Sequence, residues 1–447
     1  MASSLFSRPF FYGYRLIWKL AQPLLKRSKR LADGWDERFV PEGWLEPDFP
    51  ASEAGNHDGH SVDLWLQAAS GGEARLAVSL CRSLRHDVPL RVLIVTWTRQ
   101  GRDVVENALS ALAESHPLLR VAARFAPFDH PDIVRRAIRQ ARPRLLALLE
   151  TELWPGLLAA CKDAGVPVRL VNGRINSSTV NFGKFFPKLM ADIAPEGIRA
   201  ISEEDRRAFS TVFPSTSCSV EEMPNIKFDL AAELLERPLE NTMPGIALDG
   251  PLFLFASVRK GEETRLPGQL QRIYNARPSA RVVVVPRHLH RVEAWKSVLS
   301  DLGYRPRLLS EQDPMMHLPH KSVLIWDRFG DLPRLYAAAS AVFVGGSFGQ
   351  GGQNFLESLA AGRIPCIGPS AKNFLWAMQG TASQPSLEEC GLLRVGRTPQ
   401  EVMDIMLELA SHPRDRETVR EQFKAWLEPR LGGSSHAAAW LEEKILL

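Results

Sequence analysis

The sequence predicts an α/β protein made of two doubly wound, Rossmann-like domains that face a cleft, and three observations predict it. The chain has 447 residues, which is more than a single hydrophobic core usually supports. Short apolar segments alternate with helix-like segments in two series, one on each side of residues 230–250. The strand-like segments are apolar almost throughout, which is typical of parallel strands covered by helices on both faces.

The first series of strands follows a stretch rich in Pro, Gly, Ser and Asp, which is typical of a linker. The predicted strands are 62–69, 90–96, 121–125, 144–150, 166–172 and 198–202. The second series restarts after an interdomain connection, with predicted strands at 251–257, 281–286, 322–327, 340–346 and 364–368. The predicted plan is a membrane-associated helical segment (1–45), a linker (46–61), a first domain (62–232), a connection (233–250) and a second domain with C-terminal helices (251–447).

Composition narrows the class of partners. The net charge of +4 is a mild basic excess, which suits anionic substrates or an anionic membrane surface and does not indicate nucleic acid. The five cysteines include no CxxC pair, so the pattern favours a reducing compartment and buried thiols over a disulfide framework.

The N-terminal segment is rich in aromatic and aliphatic side chains between residues 5 and 25. Arg8, Arg15 and Lys19 interrupt it, which argues against a spanning helix of about 20 apolar residues. A cationic run follows at residues 26–30. This combination favours a helix lying in a membrane interface. The alternative is a helix that packs on its own domain or on a partner.

Three loops of the first domain carry candidate chemistry. Glu73 follows Ser70-Gly71-Gly72 at the start of a helix, where it can either accept a proton from an attacking hydroxyl or cap the helix. Glu150 and Glu152 follow a strand, where they can bind a metal, support charge or cap the helix that begins near Pro155. Lys227, near the domain junction, can hold a phosphate or a carboxylate.

The second domain offers a cationic strand end and a glycine-rich loop. Arg287 follows a run of four valines and Pro286, and an arginine there is suited to a phosphate or a base. The loop 349–357 leads into a helix, whose first N–H groups can bind an anion. Asn354 and Glu357 lie one helical turn apart, and the carboxylate can hold two ribose hydroxyls. The loop matches neither a P-loop nor a GxGxxG fingerprint.

Taken in order, the motifs resemble those of the Kdo (3-deoxy-D-manno-octulosonic acid) transferases. They are SGGE, ETELWP, VNGR, NIKFD, PRH, DxxGDL, FVGGSF and GGQNFLES. The resemblance covers most of the chain, from about residue 5 to about residue 430. It implies a GT-B glycosyltransferase that needs no metal or other cofactor and inverts the anomeric centre. The implied reaction moves Kdo from CMP-Kdo to a lipid A precursor, in a peripheral enzyme on the cytoplasmic face of the inner membrane.

The resemblance also implies roles for single residues. Glu73 matches the general base, and Glu150 and Lys227 match residues assigned to transition-state stabilisation. The positions that match the CMP-binding segments are Pro286, Arg287, Phe329, Gly330, Asp331, Asn354, Phe355, Leu356 and Glu357.

The chain departs from the family pattern mainly on the donor side. The family's STHxGEE becomes residues 257–263, with the Thr and His lost, and Gln353 and Ser358 replace the His and Pro of GGHNxLEP. GEL becomes GDL at residues 330–332, and Gly71 replaces a Val. These changes leave two alternatives open: a related GT-B enzyme with another nucleotide sugar or acceptor, and a non-catalytic module that kept the fold.

Overall fold

The computed structural model describes residues 5–46, 48–49, 60–213, 218–238, 250–311, 321–328, 330–378 and 384–446. The chain forms two compact units. The first unit contains Met1–Leu230 and Arg430–Leu447, and the second contains Ala231–Pro429.

The first unit is built on a parallel sheet of seven strands in the order β3-β2-β1-β4-β5-β6-β7. The strands are β1 (Val62–Ala68), β2 (Leu90–Thr96), β3 (Leu119–Phe125), β4 (Pro143–Leu149), β5 (Val168–Gly173), β6 (Gly197–Ala200) and β7 (Ser219–Glu222). Every residue of β1 and β2 is buried, including the polar side chains of Asp63, Gln67 and Arg91, which explains why their sequences are apolar at most positions. All six predicted strands are confirmed. β7 is missed because its SVEE sequence is polar and lies at the sheet edge.

Helices cover both faces of this sheet, and two further helices, the long α1 and the short α2, precede it in the chain. They are α1 (Pro9–Lys26), α2 (Lys29–Ala32), α3 (Gly71–Ser83), α4 (Arg99–Glu106), α5 (Leu109–Ser115), α6 (Pro131–Ala141), α7 (Pro155–Ala164), α8 (Ser177–Phe185), α9 (Pro187–Asp192), α10 (Glu203–Val212) and α11 (Ile226–Leu235). Two separate groups of buried apolar side chains result, one on each face of the sheet.

The second unit repeats this architecture with seven parallel strands in the order β10-β11-β9-β8-β12-β13-β14. The strands are β8 (Leu252–Val258), β9 (Arg281–Pro286), β10 (Arg305–Leu308), β11 (Ser322–Ile325), β12 (Ala341–Val344), β13 (Pro365–Ile367) and β14 (Arg394–Val395). The helices are α12 (Leu270–Ala276), α13 (Val292–Asp301), α14 (Leu332–Ala338), α15 (Leu356–Ala360), α16 (Leu375–Met378), α17 (Pro399–Ser411) and α18 (Arg416–Leu427). The prediction of two doubly wound parallel sheets is therefore confirmed.

The final helix, α19 (Gly433–Ile445), belongs to the first unit. The sequence-based plan placed residues 251–447 in the second domain, whereas in the structure the second unit ends at Pro429 and the residues after it belong to the first unit. The reason is an apolar face on α19, because Leu441 and Ile445 are buried among side chains of the first sheet. The Trp440 ring also lies under the guanidinium groups of Arg169 and Arg199, 4.6 and 4.7 Å from their central carbons.

Helix α1 has two different faces. On one face Phe11 is fully buried and Phe10, Tyr14 and Trp18 pack against the first unit's core. The other face is exposed and apolar, with Tyr12, Leu16, Ile17, Leu20 and Leu24 between 57% and 69% exposed. The alternative that the helix packs on its own domain is thus confirmed, and the opposite face of the helix is left as an exposed apolar surface. Among the residues described, no helix is long and apolar enough to cross a membrane.

Each sheet has one place where its strand order reverses direction. It lies between β1 and β4 in the first unit, and between β8 and β12 in the second. In doubly wound sheets ligands bind at the carboxyl ends of the strands beside such a switch point. The loops that follow these four strands therefore mark where each unit's chemistry is expected.

Candidate active site

Glu73 lies at the first unit's switch point, in the loop between β1 and α3. Ser70 is the N-cap of α3, and its hydroxyl oxygen lies 3.5 Å from the Glu73 N–H that it accepts. The Glu73 carboxylate accepts in return from the Ala69 N–H and, at 3.3 Å, from the Ser70 hydroxyl. Ser70 therefore caps the helix, and Glu73 completes a variant of the capping box in which its carboxylate accepts the N–H of the residue before the N-cap. It also fixes where the carboxylate points.

Capping does not leave the Glu73 carboxyl with an ordinary acidity. Burial, together with the negative charges of Glu152 and Glu150, raises its pKa to about 7, although the hydrogen bonds from Ala69 and Ser70 act in the opposite direction. A carboxyl that titrates near neutral pH is matched to proton transfer at that pH. The same side chain can therefore serve both the helix and an acid–base reaction.

Glu150 follows β4 on the other side of the switch point and forms an ion pair with Lys227. Glu150 adopts a left-handed backbone conformation with φ of 59°, which costs a non-glycine residue roughly 1–3 kcal/mol and often marks a functional site. The structure thus brings Glu150 and Lys227 together, and the charge on Glu150 acts on Glu73. These three predicted residues form one cluster within the first unit.

Lys227 is held in place by two asparagines. Asn225 Oδ1 accepts the backbone N–H of Lys227 at 3.0 Å. Asn172 is completely buried at the end of β5, has φ of 56°, and accepts the Ile226 N–H at 2.9 Å. Helix α11 also anchors the start of α19, because the Asp229 carboxylate accepts the N–H groups of Gly432 and Ser434 at 2.8 and 2.5 Å. Sequence reasoning assigned no role to Asn172 or Asp229.

The acids of the 150–155 loop do not cap α7. Asp129, fully buried on another loop, caps that helix by accepting the N–H groups of Gly156 and Leu157 at 2.8 and 2.6 Å. Glu152 instead accepts from the Trp154 indole N–H at 2.6 Å. The capping alternative for the two glutamates is therefore wrong. Within the described ranges no three His, Cys, Asp or Glu side chains are arranged to hold a metal ion.

In the second unit, Glu262 organises the loops at the switch point. Its Oε2 accepts the N–H groups of Arg259 at 2.7 Å and of Gly346 at 2.8 Å, and its Oε1 accepts the N–H of Ser347 at 3.1 Å. Burial raises the pKa of Glu262 above its usual value, although these hydrogen bonds act in the opposite direction. A buried carboxylate thus joins the loop after β8 to the loop after β12. Sequence reasoning assigned it no role.

The predicted CMP-binding residues at the ends of β9 and β11 lie on loops of the same unit. Pro286 is the last residue of β9 and is buried. Arg287, the next residue, is exposed, and its backbone N–H donates to the Val258 carbonyl at 2.8 Å. Gly330 has φ of 112°, and Asp331 at the start of α14 accepts from Arg328 at 2.8 Å. Phe329 lies outside the described residues.

The loop 354–357 divides into a polar and an apolar pair. The Asn354 side-chain amide donates to Glu357 Oε1 at 3.1 Å, and Asn354 Oδ1 accepts the Leu356 N–H at 3.2 Å. Both polar side chains are partly exposed, as a ribose-binding pair requires. The Phe355 and Leu356 side chains are buried in the core, so these two residues can offer a ligand mainly their backbone.

The chain is similar to a family model and to curated relatives, which match the first unit and both units respectively. A family model described as 3-deoxy-D-manno-octulosonic-acid transferase (kdotransferase) matches residues 33–230. A 3-deoxy-D-manno-octulosonic acid transferase from Bordetella pertussis is 29% identical over 444 residues and is covered over 96% of its length, as is this chain. The match therefore extends through both units.

Solved structures show the same architecture at low identity. A UDP-GlcNAc 2-epimerase from Neisseria meningitidis aligns with a TM-score of 0.52 and 14% identity, covering 86% of this chain and 100% of that one. A glycosyltransferase from Rickettsia africae aligns with a TM-score of 0.51 and 13% identity, covering 86% and 99%. At these identities the likeness shows a shared fold and carries no information about substrates.

Proposed function

We propose that the chain is a 3-deoxy-D-manno-octulosonic acid transferase, like the family model and the relative that it resembles, and that it transfers Kdo from CMP-Kdo to a lipid A precursor with inversion at the anomeric carbon. Its two Rossmann-like units have the fold that GT-B glycosyltransferases share. The observation that carries the proposal is the Glu73 carboxyl, whose pKa is raised to about 7 at the first unit's switch point. Such a group can accept the proton of an acceptor hydroxyl at neutral pH.

In the proposed step, the acceptor oxygen attacks the anomeric carbon of Kdo. A carbon–oxygen bond to the acceptor forms while the bond from that carbon to the CMP phosphate breaks. The leaving CMP takes the bonding electron pair, and Glu73 takes the acceptor's proton. Attack on the face opposite the leaving group inverts the anomeric configuration. No redox or metal partner is needed to balance these changes.

The Glu150–Lys227 pair is proposed to stabilise the charges that develop in this step. The ion pair holds a carboxylate and an ammonium at the end of a buried strand and the start of a helix. Charges fixed before the reaction stabilise a transition state without the cost of reorientation. Asn172 and Asn225 serve this function as positioning residues, because they hold the turn that carries Lys227.

Donor binding is proposed for the second unit. Arg287 presents an exposed guanidinium beside the switch point, where it can bind phosphate. Glu357, held by Asn354, is the proposed partner of the ribose hydroxyls. Gly330, Asp331 and Pro286 line the neighbouring loops, and Phe329 completes the proposed CMP-binding set.

The exposed face of α1 is proposed to bind the cytoplasmic surface of the inner membrane, where a lipid acceptor resides. Leu16, Leu20 and Leu24 lie at intervals of four residues on this face, and Lys19 and Lys26 accompany them as exposed cations. Apolar insertion with cationic flanks favours anionic lipid surfaces. A Leu16→Ser/Leu20→Ser variant should lose co-flotation with anionic liposomes while its thermal unfolding stays unchanged. Flotation equal to that of the unaltered protein would contradict this assignment.

A transfer assay tests the activity. The protein is incubated with CMP-Kdo generated in situ and a tetraacyl lipid A precursor, and the products are read by mass spectrometry. We expect an added Kdo mass with the unaltered protein and none with Glu73→Gln, which should still bind CMP. Absence of product with the unaltered protein would favour the non-catalytic alternative.

A second candidate function, transfer from another nucleotide sugar, is favoured by the altered residues Arg259 and Gln353. Thermal-shift measurements with CMP, UDP, GDP and ADP separate the two candidates. Greater stabilisation by a nucleotide other than CMP would contradict the proposed donor.

A further inference from the structure

Two departures from the family pattern lie against one glycine in the second unit. The family motifs place a histidine at both position 259 and position 353, where this chain has Arg259 and Gln353. A methyl group added to Gly346 would lie 3.1 Å from Gln353 Cγ and 3.2 Å from Arg259 Cδ. The two replaced side chains, far apart in sequence, therefore flank the same backbone position.

That position is the switch point of the second sheet. Arg259 directly follows β8, and Gly346 closely follows β12, the two strands between which the order reverses. Gly346 has φ of 71°, in the left-handed region that favours glycine. A side chain there would be strained and would press on both Arg259 and Gln353.

The backbone at this switch point is not free to bind an anion. The Glu262 carboxylate already accepts the N–H groups of Arg259, Gly346 and Ser347. In many nucleotide-binding loops such N–H groups hold a phosphate. These three N–H groups are therefore occupied, and the neighbouring cationic side chains are the candidates for holding an anionic ligand here.

Cationic side chains are available for it. Within the described ranges, the Arg259 and Arg287 guanidinium groups form no ion pair with a carboxylate. Burial lowers the pKa of His288, and the positive charges of Arg259 and Arg287 lower it further. The two arginines are thus close enough to act on the same imidazole.

We infer that Arg259 and Gln353 form a coupled specificity pair, in which the Arg259 guanidinium binds an anionic group of the donor and Gln353 supplies a neutral hydrogen-bonding partner beside it. The anion is the donor's phosphate or the carboxylate of its sugar, and the inference rests on the proposed function because CMP-Kdo supplies both. An arginine keeps its charge throughout the physiological pH range, whereas a histidine does not. The exchange of two histidines for this pair therefore fixes one positive charge in the site.

The test is a double-mutant cycle on the full chain, with CMP binding measured by calorimetry. Arg259→His and Gln353→His are each expected to weaken CMP binding, the former by about tenfold, the usual scale for loss of a charge-assisted hydrogen bond. The double variant restores both family histidines. It should bind CMP at least about threefold more tightly than the product of the two single losses predicts. Arg265→His, an exposed change on the same segment, is the matched control and should stay within about twofold of the unaltered protein.

A second arm identifies the anion. If Arg259→His leaves CMP binding unchanged and raises the half-saturating CMP-Kdo concentration, the guanidinium binds the sugar carboxylate. If neither quantity changes by more than about twofold, with thermal unfolding intact, the inference is overturned. Additive losses in the cycle overturn the pairing. Unaltered protein that does not bind CMP contradicts the proposed donor instead, so the two failures are distinguishable.

Discussion

The raised pKa of Glu73 predicts a specific pH profile for transfer. If the ionised carboxylate is the general base, the rate at subsaturating donor should rise about tenfold per pH unit below pH 7 and then level off. With a pKa of about 7, the rate near pH 5.5 should be about 3% of the plateau, because only that fraction is ionised. Initial rates between about pH 5.5 and about pH 8.5 measure this limb.

The neighbouring charges provide a sharper perturbation of the same profile. Glu152→Gln removes one of the negative charges that raise the pKa of Glu73, and its amide oxygen can still accept from Trp154. The acidic limb should therefore move to lower pH, while the plateau rate changes little. Glu114→Gln, which alters an exposed acid of the same unit, is the matched control and should leave the limb in place. A limb that does not move, or one that persists with unchanged midpoint in Glu73→Gln, would refute the assignment of Glu73 as the base.

Three further predictions concern the supports of the site and of the fold. Asn172→Leu leaves the buried Ile226 N–H without its acceptor, so it should lower the free energy of unfolding by about 1–3 kcal/mol and also lower kcat. Asn172→Asp keeps the acceptor oxygen and should lose less of both. Urea unfolding measures the free energy of unfolding, and transfer rates measure kcat. Trp440→Ala should lower the free energy of unfolding by about 3–5 kcal/mol, because it leaves a cavity between α19 and the first sheet. A urea midpoint equal to that of the unaltered protein would contradict this packing role. Glu73→Gln should stabilise the fold relative to the unaltered protein above about pH 7, because the raised pKa of Glu73 means that its ionised form destabilises the folded state. This advantage should fade as the pH falls from about 7 towards 4.5, where Glu73 becomes protonated in the folded protein. Thermal unfolding measured as a function of pH checks the sign.

Much of the fold could be predicted because buried parallel strands have an unmistakable sequence. The fully buried β1 and β2 are apolar at most positions, and the Asp63 carboxylate within β1 accepts the Arg91 N–H of β2. The edge strands β7 and β14 are short or polar, so their sequences resemble loops. The destination of α19 was not predictable either. Its apolar residues show that one face is buried, and they do not identify which sheet that face covers.

The site was predictable where residue type alone suggests chemistry. Glu73, Glu150 and Lys227 were identified from charged residues at strand ends and from the family motifs. Asn172, Asp129 and Glu262 were not, because their roles depend on hydrogen bonds to segments distant in sequence: the start of α11, the start of α7 and the loop after β12. A buried polar residue gives no sequence signal of which backbone groups it satisfies.

The return of the chain to the first unit has a consequence for biosynthesis. Residues of the first unit emerge from the ribosome both before and after the whole of the second unit. The second unit is contiguous and can fold as soon as it is synthesised, whereas the first must wait for its last helix. A nascent or truncated chain that lacks α19 therefore leaves a lipophilic strip of the first unit uncovered and removes the partners of Asp229. Helix α19 thus completes the core of the half of the protein that is made first.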